Sequence, residues 1–300
     1  MILVTGGAGV MGSRLVRRLV AAGERVRALV LPGDPCAKRL AGCDCEIVEG
    51  DITHAAGLDD AMHEVTTVFH LAAVIVSHQL DVFRRVNVEG TANVAAAAAK
   101  SGVRHVVYVS SASVTYRRPT AYAQSKIDAE ETIRNEQRFA HTIVRPTLVY
   151  DRAGGQEIEM FAKLIRKFPV VPFIGKGEAK KRPVYAGDII DGLARIVGNK
   201  RAHGNTYNLS GAEATTMMGL ARLLAEQLNL KRVFVPVPEF LCRAGLTALG
   251  AITRLPALAH QIMSGFTEDA DLDPTDAMRD LGYEPLPVSV GLRRYFHRRA

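Results

Sequence analysis

The chain has 300 residues, 48% of them apolar and 23% charged, which suits one large α/β core or a core with a smaller appended domain and excludes a disordered or collagen-like chain. A formal charge of +7 admits an anionic small-molecule partner. The basic residues are scattered except at Lys176–Arg182 and in the tail Arg293–Arg299, no nucleic-acid-binding module accompanies them, and neither nucleic acid nor membrane is expected as a partner.

In chain order, Ile2–Thr5 reads as a buried strand, followed by a glycine-rich turn and a helix over Met11–Ala22 with Leu15, Val16 and Leu19 on one face and Gly23 as its stop. Strands follow at Arg25–Leu31, Cys45–Val48 and Val68–Leu71. A helix is expected over Asp81–Lys100, a strand over Val106–Ser110, and a helix over Tyr122–Gln137 with Ile127 and Ile133 inward and Glu130, Glu131 and Arg134 outward. His141–Val144 closes this half. These strand runs are apolar on both faces, which suits parallel strands covered by helices above and below. The fold class that follows is α/β, a Rossmann-type doubly wound parallel sheet.

After Arg145-Pro146 the texture changes to glycine- and proline-rich loops, with Val184–Val197 helix-bearing, Asn205–Leu209 a strand, Thr216–Asn229 a helix and Arg232–Val237 a strand. The expected division is a dinucleotide-binding domain over 1–150 plus 183–211 and a smaller, discontinuous substrate-binding domain over 151–182 plus 212–300. The segment from Phe240 to Phe266 is interrupted by Arg243, Arg254 and His260, too broken to span a bilayer. Its Phe240–Leu258 part reads as core, lid or dimer surface and would suit an apolar substrate. Cys36, Cys43, Cys45 and Cys242 read as reduced thiols with no metal-ligand spacing. With no charged leader before the first strand, a cytoplasmic location is expected.

The turn Gly6-Gly7-Ala8-Gly9-Val10-Met11-Gly12 lies between first strand and first helix, where glycines let the backbone turn sharply and approach a pyrophosphate. The helix start then offers free N–H groups and a positive dipole end. A carboxylate for the adenosine ribose is missing at the end of the second strand, where Val30 and Leu31 stand. Asp34 just beyond can take the ribose hydroxyls, or serve as a turn residue, and Lys38 or Arg39 can meet a 2′-phosphate. NAD is the cofactor this reading adopts, with NADP as the alternative.

Tyr122 and Lys126 stand four apart on one helical face, where an ammonium can stabilise a phenolate whose ordinary pKa near 10 makes it a poor base at neutral pH. Ser110-Ser111-Ala112-Ser113, at the end of the preceding strand, supplies hydroxyls for a substrate oxygen. With Gly50-Asp51-Ile52, His70-Leu71-Ala72-Ala73, Asn87-Val88-Glu89-Gly90-Thr91 and Arg145-Pro146-Thr147, these segments resemble, in order, the extended short-chain dehydrogenase/reductase family. That family includes NAD-dependent nucleotide-sugar epimerases and dehydratases, dihydroflavonol reductases and 3β-hydroxysteroid dehydrogenases, and the resemblance implies an epimerase/dehydratase-type oxidoreductase that moves a hydride at a secondary-alcohol or ketone carbon of a nucleotide-sugar-like substrate. The alternatives are a simple alcohol dehydrogenase or ketone reductase of the dihydroflavonol or 3β-hydroxysteroid type, and a non-catalytic cofactor-binding sensor or assembly subunit.

The resemblance implies that Gly6, Gly9, Val10 and Met11 hold the cofactor phosphates and that Asp51 and Ile52 flank the adenine. Ala72 and Ala73 would let the cofactor approach the backbone, Asn87 would tie the active-site helix, and Pro146 would sit beside the nicotinamide. Ser111, or Ser113 in its place, would bind the reacting oxygen, Tyr122 would exchange its proton, and Lys126 would bind the ribose and depress the tyrosine's pKa. Lys181 aligns with the residue that holds the diphosphate in sugar-nucleotide relatives, with Arg182 adjacent; a solvated basic loop is the alternative. His70 reads as a satisfied strand-end histidine. The Ser111–Tyr122 loop is shorter than in most relatives, leaving fewer residues for a substrate wall. A homodimer through the Asp81–Lys100 and Tyr122–Gln137 helices is also implied.

Overall fold

The computed structural model describes residues 1–151, 156–245 and 263–297. The middle of the Phe240–Phe266 segment and the last residues of the basic tail lie outside them. Seven parallel strands form the central sheet in the order β11-β6-β5-β4-β1-β2-β3. They are β1 (Ile2–Thr5), β2 (Val26–Val30), β3 (Glu46–Glu49), β4 (Thr67–His70), β5 (His105–Val109), β6 (Ala140–Pro146) and β11 (Thr206–Leu209). The order reverses between β1 and β4, the switch point outside whose carboxyl ends such sheets bind ligands. β11 pairs with β6 in parallel, Thr206 opposite Ile143, at the edge of the sheet.

Helices cover both faces because the strands are apolar on both. On one side α1 (Val10–Ala21) buries Leu15, Val16 and Leu19 against the sheet and packs on α7 (Ala186–Ala194). On the other, α4 (Gly90–Lys100) presents Val94, Ala95, Ala97 and Ala98, a thin surface that lets it close on the sheet, on α2 (Leu58–Ala61) and on α5 (Ala121–Asn135).

The expected single helix over Asp81–Lys100 is three pieces: α3 (Leu80–Phe83), a π-helical turn over Arg84–Glu89, and α4. The wider turn carries Asn87 inward, where its side chain is fully bonded. Such single π-turns recur at functional sites.

The remaining elements build a second apolar core. In it α6 (Gln156–Lys167) and α8 (Met217–Gln227) meet the helix Val288–His297, with Phe161, Ile165, Leu220, Leu224 and Leu292 between them. A small parallel sheet of β8 (Val170–Ile174) and β13 (Val233–Val237) lies beside it. β7 (Val149–Tyr150) pairs with β10 (Val184–Tyr185), and β9 (Lys180–Lys181) pairs with β12 (Thr215–Thr216) and bridges Ala270.

Candidate active site

The glycine turn cannot be built from larger residues. Gly6 has φ +68°, and a Cβ there would lie 2.9 Å from the backbone of Ala72. At Gly12 a Cβ would run into the Gly6 carbonyl oxygen, so helix and turn pack backbone to backbone. Gly9 caps α1 with no side-chain bond to its first N–H groups, so the amides of Val10 and Met11 are free of a capping side chain. This tightly packed turn, with an open helix start at the switch point, fits a dinucleotide diphosphate.

At the adenosine end, Asp34 accepts from the Cys36 amide at 2.8 Å and caps the 3₁₀ turn Pro35–Leu40, which makes it a turn residue at least. Leu31 is 52% exposed and offers no polar atom. Arg39, rather than Lys38, reaches the glycine turn: its Nη1 donates to the Ala8 carbonyl at 3.0 Å. Arg17 holds that arm in place, donating from Nη2 to the Arg39 and Ala41 carbonyls at 2.7 and 2.8 Å. Asp51 caps its own turn through the Thr53 amide at 2.9 Å, and Ile52 packs so close to Gly90 that a Cβ there would lie 2.8 Å from it.

The proton-handling pair lies on α5, capped by Thr120 accepting from the Ala123 amide at 3.1 Å. Lys126 is 2% exposed, its Nζ donating to the Val109 carbonyl at 2.8 Å and standing 4.3 Å from the Tyr108 ring centroid. Burial pushes its ammonium down to about 7, against the charge of Glu130, which raises it. Asn87 is the brace. It exchanges bonds with the Val74 backbone at 2.8 and 2.9 Å and donates to Ser125 Oγ at 2.9 Å, which in turn donates to the Tyr122 carbonyl at 2.7 Å. The loop carrying Ala72 and Ala73 is thereby tied to the turn of helix that presents Tyr122. Ser111 Oγ accepts from Ser113 N at 3.2 Å and from Ser113 Oγ at 3.0 Å, so the two hydroxyls form one unit.

Glu130 is not on the outward face. It is buried, bound by Arg145 through Nε and Nη2 at 2.8 and 2.6 Å and by Arg134 at 2.9 Å. Burial would push its carboxyl up, but the hydrogen bonds, chiefly from Arg145, outweigh this and hold it below the usual carboxylate range. The pair ties α5 to the residue just before Pro146. The stripe Tyr122, Lys126, Glu130, four apart each time, is the signal that could have found it.

Lys181 and Arg182 are engaged within the fold. Lys181 is buried and donates to the Glu268 carbonyl at 2.6 Å, while Arg182 pairs with Asp271 at 2.5 Å and donates to the Ala212 carbonyl at 3.1 Å. They strap segment 268–271 along β9, and a solvated basic loop does not describe them.

His70 is satisfied inside the sheet. Thr91 donates its hydroxyl to the Asn87 carbonyl at 2.6 Å, so it accepts from His70 Nε2 at 2.9 Å, and His70 Nδ1 accepts from Thr5 Oγ1 at 2.6 Å. Burial lowers His70 to about 3, with Lys126 adding to the effect, and burial lowers His105 to about 4. Between these values and about 6.5 the unfolded chain binds protons that the folded chain does not. Stability is therefore expected to fall as pH drops below about 6.5, and His70→Gln should flatten that slope in thermal melts.

Among the described residues no group of three His, Cys, Asp or Glu is placed to hold a metal ion, and no helix is long and apolar enough to cross a membrane.

Residues 2–210 match the profile of the NAD dependent epimerase/dehydratase family. A 3 beta-hydroxysteroid dehydrogenase/Delta 5-->4-isomerase of Mycobacterium tuberculosis is 29% identical over 95% of this chain and 86% of its own length. The ceramide reductase of Caulobacter vibrioides is 31% identical over 86% and 81%. Among solved structures, the dTDP-glucose 4,6-dehydratase DesIV from Streptomyces venezuelae, with NAD and TYD bound, superposes with a TM-score of 0.78 at 25% identity, covering 98% of this chain and 95% of that one.

Proposed function

The chain belongs to the NAD-dependent epimerase/dehydratase family, and from that premise we propose that it moves a hydride at a secondary-alcohol or ketone carbon, with Ser111, Tyr122 and Lys126 as its catalytic residues. The observation that carries this is Lys126, an ammonium held inside the protein by the Val109 carbonyl one helical turn beyond Tyr122. Ser111, with Ser113 behind it, holds the reacting oxygen; Tyr122 Oη gives it a proton in reduction and takes one in oxidation; Lys126 stabilises the phenolate between turnovers. The diphosphate rests on Gly6, Gly9, Val10 and Met11, Asp51 and Ile52 bracket the adenine, and Ala72, Ala73, Asn87 and Pro146 frame the nicotinamide end. When bound, the nicotinamide supplies or accepts the hydride. Incubation with NADH deuterated at C4 and a panel of ketones tests this: deuterium in a product carbinol is expected, and its absence from every product would sink the proposal.

Of the two substrate classes in the family, an apolar ketone or alcohol is favoured over a sugar nucleotide, because Lys181 and Arg182 are already bound to Glu268, Asp271 and Ala212. The steroid and ceramide relatives support the same choice. The substrate-binding part is assigned to 151–182 plus 212–300, with 1–150 plus 183–211 for the dinucleotide. Family likeness further supports a cytoplasmic homodimer through α4 and α5.

NADP is admitted beside NAD through Arg39, whose guanidinium lies against the glycine turn, where it can meet a 2′-phosphate. Arg39→Ala is expected to weaken NADP(H) binding by about tenfold or more, the worth of a charge-assisted hydrogen bond, and to leave NAD(H) nearly unchanged in calorimetric titration.

A further inference from the structure

Beside the second core, a cavity of about 680 Å³ opens between α6, β8 and segment 239–245. Its volume is in the range of small-molecule sites, roughly 300–1,000 Å³. Met160, Leu164 and Phe168 form one wall, and Phe161, Phe173 and Phe266 form the floor. The three floor rings pack against one another with centroids 5.8 to 6.0 Å apart. Among the described residues that line it, polar side chains are confined to Cys242 and to Lys163 and Lys167, both on exposed positions of α6. A sugar placed here would lose its water and gain few partners, whereas a hydrocarbon chain needs none.

The floor is joined to the catalytic loop. Two residues beyond Phe266, Glu268 accepts from the Arg117 amide through Oε2 at 3.3 Å, and Arg117 lies between Ser111 and Tyr122. The Glu268 carbonyl is held in turn by Lys181, whose ammonium stands 5.4 Å from the Tyr116 ring centroid. Glu268 thus fastens the end of the segment carrying Phe266 to the loop between Ser111 and Tyr122.

We propose that this cavity is the subsite for a long alkyl or isoprenoid chain of the substrate, whose carbinol or keto carbon is presented to Tyr122. The assignment rests on the hydride-transfer reading above for the substrate's reacting end, but the cavity can be tested without turnover. The chain contains no tryptophan, so Met160→Trp, at a position 53% exposed, places a single indole at the cavity wall. A terminally brominated long-chain alcohol, added below its aggregation limit, should quench that indole saturably and leave a tryptophan at Met278, an exposed position outside the cavity, unaffected. Equal quenching at both positions, or none at Met160→Trp, overturns the subsite whether or not the enzyme turns over. With the wild-type protein and 2-alkanones of rising length, kcat/KM should climb by about fourfold per added methylene until the cavity is filled. Short ketones reduced as well as long ones would refute the subsite and leave the hydride-transfer reading intact, while quenching without reduction of any ketone would do the reverse.

Discussion

Tyr122→Phe is expected to lower kcat by about 10²–10⁴-fold, the usual worth of a positioned acid–base group, with the affinity for NADH almost unchanged. Removing the hydroxyl keeps the bonds that hold α5, which run from the Thr120 cap and from Asn87 through Ser125 to the Tyr122 carbonyl. Lys126→Met should behave differently. It removes an ammonium assigned both to the phenolate and to the ribose, so kcat falls and cofactor affinity falls with it. Steady-state kinetics beside equilibrium titration of NADH separates the two. A Tyr122→Phe protein that kept more than about a tenth of its turnover would remove the phenol from the mechanism.

The second large effect is expected at Glu130. Its carboxylate is buried and bound to both Arg145 and Arg134, so Glu130→Leu leaves two guanidinium groups without their acceptor. Breaking a buried pair from one side costs roughly 3–5 kcal/mol. Arg145 and Arg134 retain some solvent access, with side-chain exposures of 24% and 40%, which places the expected loss near the lower end, about 3 kcal/mol. Glu130→Gln keeps a hydrogen-bond acceptor and should lose less. Urea denaturation of the three proteins tests the order wild type, Gln, Leu. A Leu variant as stable as the wild type would mean that the pair contributes nothing to the junction of α5 and β6.

The central sheet was legible because buried parallel strands must be apolar on both faces, so Ile2–Thr5, Val106–Ser110 and their like stand out from amphipathic surroundings. The glycine turn was legible for a similar reason, since Gly6 and Gly12 answer to backbone sterics within a few residues of themselves. Glu130 was not, because a carboxylate in a helix is ordinarily counted as outward, and the guanidinium that draws it in lies 15 residues away in the next strand. The partners of Lys181 and Arg182 lie 87 and 89 residues away, beyond any local pattern. The broken helix after Leu80 escaped for another reason. Phe83, Asn87, Gly90 and Val94 keep a spacing of three or four, and the extra residue in the turn changes hydrogen-bond partners without disturbing the apolar rhythm.

That wide turn at Arg84–Glu89 makes the chain intolerant of a change in length at one place. Deleting a single residue there would restore a regular ladder but rotate everything on one side by about 100° relative to the other. Asn87 would swing off Val74 and Ser125 while α4 was still pinned by its alanine face. Diverging copies of this gene should accordingly keep the number of codons between Phe83 and Gly90 unchanged.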